Sequence, residues 1–289
     1  MKKIDLKDKV VWITGASSGI GASLAIQLNK LGAKVIASAR RTEKLRALKN
    51  NCPNPQDLIT LPLDITNPIS IKNAIEKVKQ LERLDLVIHN AGIAQKGLVI
   101  ENEMEVDRKI METNYFGTVA FTKSIMPIYL KQGYGWFAIV SSFAGVMGIP
   151  GRSAYAASKH ALHGFFDSLK AENISCKLDV SFILPGFINT EITAKGLCGN
   201  GRPYGMVETS HRLGMSANQC ANGIIKGLMK SKKRIVVGKI EVFLLTINRI
   251  SPRWSQYIIK SHPMRKLRNL KSRINNLFNF NLNPVIEQQ

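Results

Sequence analysis

Residues 9–21, KVVWITGASSGIG, read as a buried strand running straight into a glycine-rich turn and then a helix. The run 9–14 is short and near-continuously apolar, as strands buried on both faces of a parallel sheet are. Gly15, Gly19 and Gly21 follow at the spacing G-x-x-x-G-x-G, immediately before an amphipathic helical pattern. Backbone can approach a pyrophosphate there, because helix N-terminal N–H groups and the macrodipole favour an anion. The spacing differs from the G-x-G-x-x-G of the commonest dinucleotide fingerprint. A tight strand-to-helix connection is the bland alternative, and the strand context favours the ligand.

Working outward, the same kind of run recurs at 34–39, 58–63, 84–89, 136–141, 179–184 and 234–238. Between these lie helical patterns such as ASLAIQLNKLG, SIKNAIEKVKQL and the long EVDRKIMETNYFGTVAFTKSIMPIYLKQ over 105–132. Strand and helix in alternation predict a doubly wound α/β fold with a parallel sheet of about seven strands. The expected boundaries are a catalytic domain over 1–239 and a basic, helical C-terminal extension over 240–289.

Composition narrows the class. A chain of 289 residues suffices for one generous α/β domain, and no linker asks for two. Cys52, Cys176, Cys198 and Cys220 are scattered, and the five histidines show no ligand spacing. Neither a disulfide framework nor a zinc site is indicated, and the setting reads as reducing and cytoplasmic. The apolar run near the N-terminus is too short for a secretory leader, and no run of about 18 apolar residues offers a membrane span.

The residues just past the strand ends matter most. After the first strand come Gly15, Ser17, Ser18, Gly19, Ile20 and Gly21; after the second, Arg40 and Arg41; after the third, Asp64. After the fourth stand Asn90, Ala91 and Gly92, after the fifth Ser142, and after the sixth Pro185 and Gly186. Ligands of open α/β sheets bind beyond the carboxyl ends of the strands, so six such ends point to one shared site. Arg40 and Arg41 lie about twenty residues past the glycine loop, where a carboxylate would hold the ribose of NAD and a cation would accommodate a 2′-phosphate. No carboxylate is offered, which favours NADP(H). Asp64 reads either as a cap for the next helix or as an adenine contact, and Asn90-Ala91-Gly92 either as a plain turn or as part of the site.

The stretch AYAASKHALHGFFDSLKAE reads as a helix carrying Tyr155 and Lys159 one turn apart on one face. A tyrosine of pKa about 10 is a poor base at neutral pH, and a neighbouring ammonium is expected to lower it. Ser142, thirteen residues ahead of Tyr155, can donate to a substrate oxygen as charge develops. By itself Tyr-x-x-x-Lys is a weak signal, frequent on solvated helix faces.

With TGASSGIG, NAG, Ser142, Tyr155-x-x-x-Lys159 and Pro185-Gly186 in that order, the sequence resembles the short-chain dehydrogenase/reductase family from about Leu6 to Gly238. The resemblance implies a single Rossmann-type domain, a nicotinamide cofactor, a homo-oligomer and a catalytic tetrad at Asn114, Ser142, Tyr155 and Lys159. It also implies that Pro185, Gly186, Ile188 and Thr190 border the nicotinamide, and that Tyr155 and Lys159 touch the cofactor, Lys159 through the ribose hydroxyls. Asn114, inside the long helical run, is expected to open the hydrogen-bond ladder to a water. A finer likeness, to the membrane-associated dehydrogenase/reductase subgroup and its bacterial relatives, implies an apolar carbonyl or alcohol substrate. Val146, Met147 and Phe187 are expected to border it with Ser142 and Tyr155, as are Ile149, Leu197, Met206, Leu213 and Met215; apolar residues are otherwise simply core. Two other readings stay open: a soluble 3-oxoacyl thioester reductase, and a non-catalytic NADP(H) sensor or scaffold.

The net charge of +21 is uneven, with +11 of it after residue 229. There, apolar clusters alternate with Arg249, Arg253, Lys260, Arg265, Lys266, Arg268, Lys271 and Arg273, while Pro252 and Pro263 break any single long helix. That pattern fits an element lying on an anionic membrane, on the cytoplasmic face; a basic helix over the substrate cleft or a partner-binding extension is the alternative. No nucleic-acid recognition motif accompanies the charge. The final NLFNFNLNPVIEQQ reads as frayed.

Overall fold

The central apolar runs become strands because both of their faces find cover, while the edge strands bury one face only. The computed structural model describes residues 4–172, 175–239 and 242–260. The strands are β1 (Val10–Thr14), β2 (Lys34–Ala39), β3 (Leu58–Pro62), β4 (Leu86–His89), β5 (Tyr134–Val140), β6 (Lys177–Pro185) and β7 (Arg234–Val237). All pair in parallel, in the order β3-β2-β1-β4-β5-β6-β7. The order reverses between β1 and β4, where a doubly wound sheet opens its ligand crevice.

Alternation of side chains along the strands sorts the core into two layers. Val11, Ile13, Val35 and Ala37 pack with Leu24 and Leu28 of α1 (Gly19–Lys30), Leu45 of α2 (Thr42–Asn50), and Ile224 and Leu228 of a later helix, Ala217–Met229. Trp12, Ile36, Val87 and Phe137 face the other way. They meet Ile71 and Ile75 of α3 (Pro68–Val78) and aromatic and aliphatic residues of the helices after β4 and β5. Trp12 sets its ring edge-on to Phe121 at 4.8 Å and donates its indole N–H to Ser38 Oγ at 2.8 Å, satisfying its one polar atom.

The long helical run over 105–132 is not one α-helix. It comprises α4 (Met104–Met111), a π-helical turn (Glu112–Phe116) and α5 (Gly117–Gln132). Gly117 lies so close to the loop after β3 that an added Cβ would stand 2.9 Å from the Ile65 carbonyl oxygen. Next come α6 (Ser153–Ala171) and α7 (Ala217–Met229). Asp64 does not cap α3: Asn67 does, accepting the Ser70 N–H at 2.9 Å, and the Asp64 carboxylate instead takes the N–H and hydroxyl of Thr66.

The described residues divide into two compact units after Leu245. Beyond β7 run two short helices, α8 (Val242–Ile250) and α9 (Pro252–Lys260), separated where Pro252 opens the second. Ser255 Oγ donates to Asn248 Oδ1 at 2.6 Å across that break. No helix among the described residues is long and apolar enough to cross a membrane. Pro263, the basic residues from Arg265 to Arg273 and the closing stretch read as frayed lie outside the described residues.

Candidate active site

The glycine turn is shaped by contacts rather than by flexibility. Gly15 has φ +67°, and a Cβ there would stand 2.8 Å from Ala91 Cα. At Gly21 a Cβ would meet both the Gly15 carbonyl oxygen and Asn90 Nδ2 at 2.5 Å. Asn90 staples the strand ends: its Nδ2 donates to the carbonyl oxygens of Thr14 (3.0 Å) and Gly15 (3.1 Å). Thr14 Oγ1 accepts the backbone N–H groups of Asn90 (3.0 Å) and Ala91 (3.1 Å) in return. Asn90-Ala91-Gly92 is therefore more than a turn; it seals β4 against β1.

Ser18 is the N-cap residue of α1, yet its side chain makes no capping bond. Its hydroxyl and that of Ser17 instead accept from Arg41, at 2.8 Å for Ser17 Oγ and 2.9 Å for Ser18 Oγ from Nη2. The first turn of α1 thus keeps its N–H groups uncapped by side chains, a natural anion seat. Arg40 and Arg41 part company here. Arg41 is tied to the turn, while Arg40 is exposed and stands 4.0 Å from the Asp64 carboxylate.

These elements enclose a cleft of ≈ 430 Å³ at the carboxyl ends of the strands. Gly15, Ser17, Ser18, Gly19, Ile20, Arg40, Arg41, Asp64, Asn90, Ala91, Gly92 and Thr190 line it. Gly21 lies behind the lining, Pro185 ends β6, and Ile188 is buried in the core rather than facing the cleft. The sequence reading missed Ser38, Leu63, Thr113, Ile192 and Lys195, which also line it. Ser38, Leu63 and Thr113 are immediate neighbours of residues it did single out, so extending each strand end by one or two positions would have found them.

Beside Gly92, four polar groups converge. Ser142 caps a one-turn 3₁₀ helix (Phe143–Gly145), accepts the Ala144 N–H at 3.1 Å and stands near enough to the Tyr155 phenol to draw its pKa down. Lys159 is buried; its Nζ donates to the Val140 carbonyl oxygen at 2.9 Å and lies 5.8 Å from the Tyr155 ring centroid. Asn114, fully buried in the π-turn, grips Ile93 by both ends of its amide: Oδ1 accepts the N–H (2.8 Å) and Nδ2 donates to the carbonyl (2.9 Å). Nδ2 also reaches Ser158 Oγ at 3.0 Å. The expected opening of a helical ladder is here a widened turn whose side chain holds the loop after β4 against α6.

Electrostatics differ from the sequence reading in one respect. Burial pushes the Tyr155 phenol above its ordinary pKa, and the Ser142 hydroxyl and the Arg152 charge pull the other way without prevailing. Lys159 faces the Val140 carbonyl and is itself desolvated, its pKa pushed down to about 8. Two nearby imidazoles are held neutral by burial. His163, stacked on Phe182 and bonded to Ser141 Oγ at 3.0 Å, is pushed down to about 4, and His89 to about 3. A protonated phenol, not an imidazolium, is the acid available here at neutral pH.

Among the residues expected to meet substrate, Met147 is buried, while Val146, Ile149 and Phe187 are half-buried, Phe187 against the His211 ring. Leu197 belongs to a small cluster with Val106, Ile110 and Ala154. Met206 and Leu213 are exposed, at 64% and 60%.

With this geometry in view, comparison with known proteins is informative. A family model described as short chain dehydrogenase matches residues 9–197. The chain is 38% identical over 248 residues to a Drosophila melanogaster dehydrogenase/reductase SDR family protein 7-like, covering 82% of this chain and 74% of that protein. It is 34% identical over 284 residues to the human dehydrogenase/reductase SDR family member 7, covering 93% and 81%. A Burkholderia cenocepacia short chain dehydrogenase in complex with NADP superposes with a TM-score of 0.73 at 23% identity, over 89% of this chain and 99% of that one. A Burkholderia phymatum homologue in complex with NAD gives 0.72 at 20% identity, over 85% and 93%. At these identities the two structures bear on the fold alone.

The buried ammonium has a measurable consequence. Lys159 would titrate near 10.5 in an unfolded chain and near 8 here, so between those values the unfolded chain binds more protons and stability rises with pH. Lys159→Met is therefore expected to raise the melting temperature at pH 7, with an advantage that shrinks as pH climbs through 8 towards 10.5. An advantage independent of pH, in thermal melts of both proteins across that range, would refute the burial account.

Proposed function

The chain belongs to the short-chain dehydrogenase/reductase family, and within it we propose an enzyme that interconverts a carbonyl and an alcohol on an apolar substrate, using NADP(H). The observation that carries this reading is the gathering of Ser142, Tyr155 and Lys159, with Lys159 Nζ beside Gly92, which lines a cleft that also holds an uncapped helix N-terminus. The glycine cradle suits a dinucleotide, since the volume a Cβ would fill at Gly15 or Gly21 is where backbone must come close. When bound, the nicotinamide supplies the hydride.

The chain's own residues do the rest. Ser142 donates to the substrate oxygen, and Tyr155 gives its proton to that same oxygen as charge develops during reduction. A phenol raised by burial is retained as an acid at neutral pH. In the reverse direction a phenolate is needed, and the Lys159 ammonium with the oxidised cofactor's charge favours it. Lys159 would also hold the ribose hydroxyls, and Asn114 keeps the loop at Gly92 and Ile93 in place between them. Pro185, Gly186 and Thr190 are assigned to the nicotinamide side. Val146, Met147 and Phe187 form the apolar approach to the phenol.

The preference for NADP(H) rests on the cations after β2. Arg41 is committed to the serines of the turn, which leaves Arg40 the freer partner for a 2′-phosphate. The proposed membrane attachment rests on the helices past the sheet. In α8 and α9, Phe243, Ile250, Trp254 and Tyr257 are 70%, 80%, 68% and 64% exposed, among the cations Arg249, Arg253 and Lys260. Exposed aromatic and aliphatic side chains beside cations match the interface of an anionic bilayer.

Turnover is best sought as NADPH consumption over ketosteroids, retinals, 3-ketolipids and small ketones and aldehydes. Against any active substrate, Tyr155→Phe is expected to lower kcat by about a thousandfold while NADPH affinity stays within about twofold; retained turnover would remove Tyr155 as the acid. Arg40→Ala is expected to weaken NADPH by about tenfold and leave NADH nearly unchanged, whereas Arg41→Ala, which also frees Ser17 and Ser18, weakens both. Equal losses for Arg40→Ala would undo the phosphate assignment. In co-sedimentation with phosphatidylserine vesicles, replacing Trp254 and Tyr257 together by serine is expected to cut the bound fraction severalfold at low salt; unchanged sedimentation would sink the membrane reading.

A further inference from the structure

At the start of the helix that carries Tyr155, distant segments meet at a single carboxylate. Glu208 is the N-cap residue of the short helix Thr209–Arg212, but its side chain makes no capping bond to the helix backbone. One carboxylate oxygen takes the Lys96 ammonium; the other takes Arg152 Nη2 at 2.6 Å and lies 3.5 Å from His211 Nδ1. Arg152 sits three residues ahead of Tyr155 and extends Nη1 to the Gln95 carbonyl oxygen at 2.7 Å. Backbone bonding adds to this, Gly97 N–H donating to the Gly151 carbonyl oxygen at 3.2 Å. The Lys96 ammonium also lies 4.9 Å from the centre of the Tyr204 ring.

This is not an ordinary surface pair. The Arg152 and Glu208 side chains are only 12% and 15% exposed, so removing either would strand a largely dehydrated charge. Burial alone would push the Glu208 carboxyl up, but hydrogen bonds from His211 and Lys96 and the charges of Arg152 and Lys96 hold it well below the usual carboxylate range. The start of the segment Thr193–Gly214 is pinned by backbone, Leu197–Cys198 pairing with Gln95–Lys96 and the Gly199 carbonyl accepting the Glu103 N–H at 2.9 Å, so Glu208 is the side chain that fastens its later half. Leu197 reaches a small apolar cluster, whereas Met206 and Leu213 face solvent.

We propose that Glu208 is a positioning residue for substrate: its carboxylate clasps the 193–214 segment to Lys96 and to Arg152, the N-cap residue of the helix that carries Tyr155, and so fixes that segment relative to the start of that helix. The role rests on the reading of Tyr155 as the proton donor. Glu208 does not touch the reacting atoms; it acts through where the segment is held. Loss of the clasp should therefore be felt mainly in substrate binding and in local order, and only weakly in cofactor binding, since Lys195 alone of the segment lines the cleft.

Glu208→Gln keeps the shape and removes the charge. With para-nitrobenzaldehyde as carbonyl probe and NADPH as reductant, the substrate KM is expected to rise about tenfold, with kcat and the NADPH KM within about threefold. Limited trypsin digestion should cut at Lys195, Arg202 or Arg212 about tenfold faster than in the parent. Lys96→Gln should move both readouts the same way by a smaller factor. The charge-swapped pair Arg152→Glu with Glu208→Arg should recover part of the protease resistance that either single change loses. A Glu208→Gln protein whose digestion rate stays within about twofold of the parent overturns the clasp. So does one in which kcat, both KM values and melting temperature all fall away together, because that reports a general loss of fold. Should the parent chain reduce no carbonyl at all, the reading of Tyr155 fails while digestion of the segment still decides whether Glu208 holds it.

Discussion

The site depends on how closely the ends of β1 and β4 are allowed to approach. Backbone at Gly15 lies against Ala91 with no room for a Cβ, and Asn90 and Thr14 exchange hydrogen bonds across the gap. That contact is where the strand order reverses, so it fixes both the mouth of the cleft and the start of α1. If it were looser, the turn would not present its amides, and Gly92 would not lie beside Asn114 and Lys159. The packed sheet behind it makes the contact rigid: Val11 and Ile13 face one helical layer while Trp12 faces the other, and all are fully buried.

Most of this architecture could be read from the chain because burial on both faces leaves a plain trace. The seven apolar runs became the seven strands within a residue or two, and the punctuation after the first four lined one cleft, whereas Ser142, Pro185 and Gly186 do not line it. The long helical run was read as continuous since hydrophobic periodicity does not register a single extra residue, and the π-turn at Glu112–Phe116 appears only when Asn114 is seen gripping Ile93. The arginine pair was legible as charge, but its division of labour was not, because that depends on which guanidinium finds Ser17 and Ser18. Lys159 was expected to act on the phenol from one helical turn away; helix geometry brought the residues near, while the Val140 carbonyl decided where the ammonium points.

The Glu208 cluster had no sequence signal at all. Its partners at 96 and 152 lie in other parts of the chain, brought to Glu208 by the short parallel pairing of Gln95–Lys96 with Leu197–Cys198. Polar contacts of that span depend on topology, and topology was inferred only for the main sheet. The irregular segments after β4 and β6 are thus the least legible part of the molecule.

The π-turn also reaches beyond the residue it carries. Ile110 and Phe121 are eleven positions apart, which on an unbroken α-helix puts them within about 20° of one another. Here Ile110 packs with Ala154 and Leu197, whereas Phe121 packs with Trp12 and the main sheet. One surplus residue resets the helical phase by about 100°, so a single rod can address two separate cores. The chain can thus build its small cluster around Ala154 and Leu197 and its central core on consecutive turns of helix, with no loop between them.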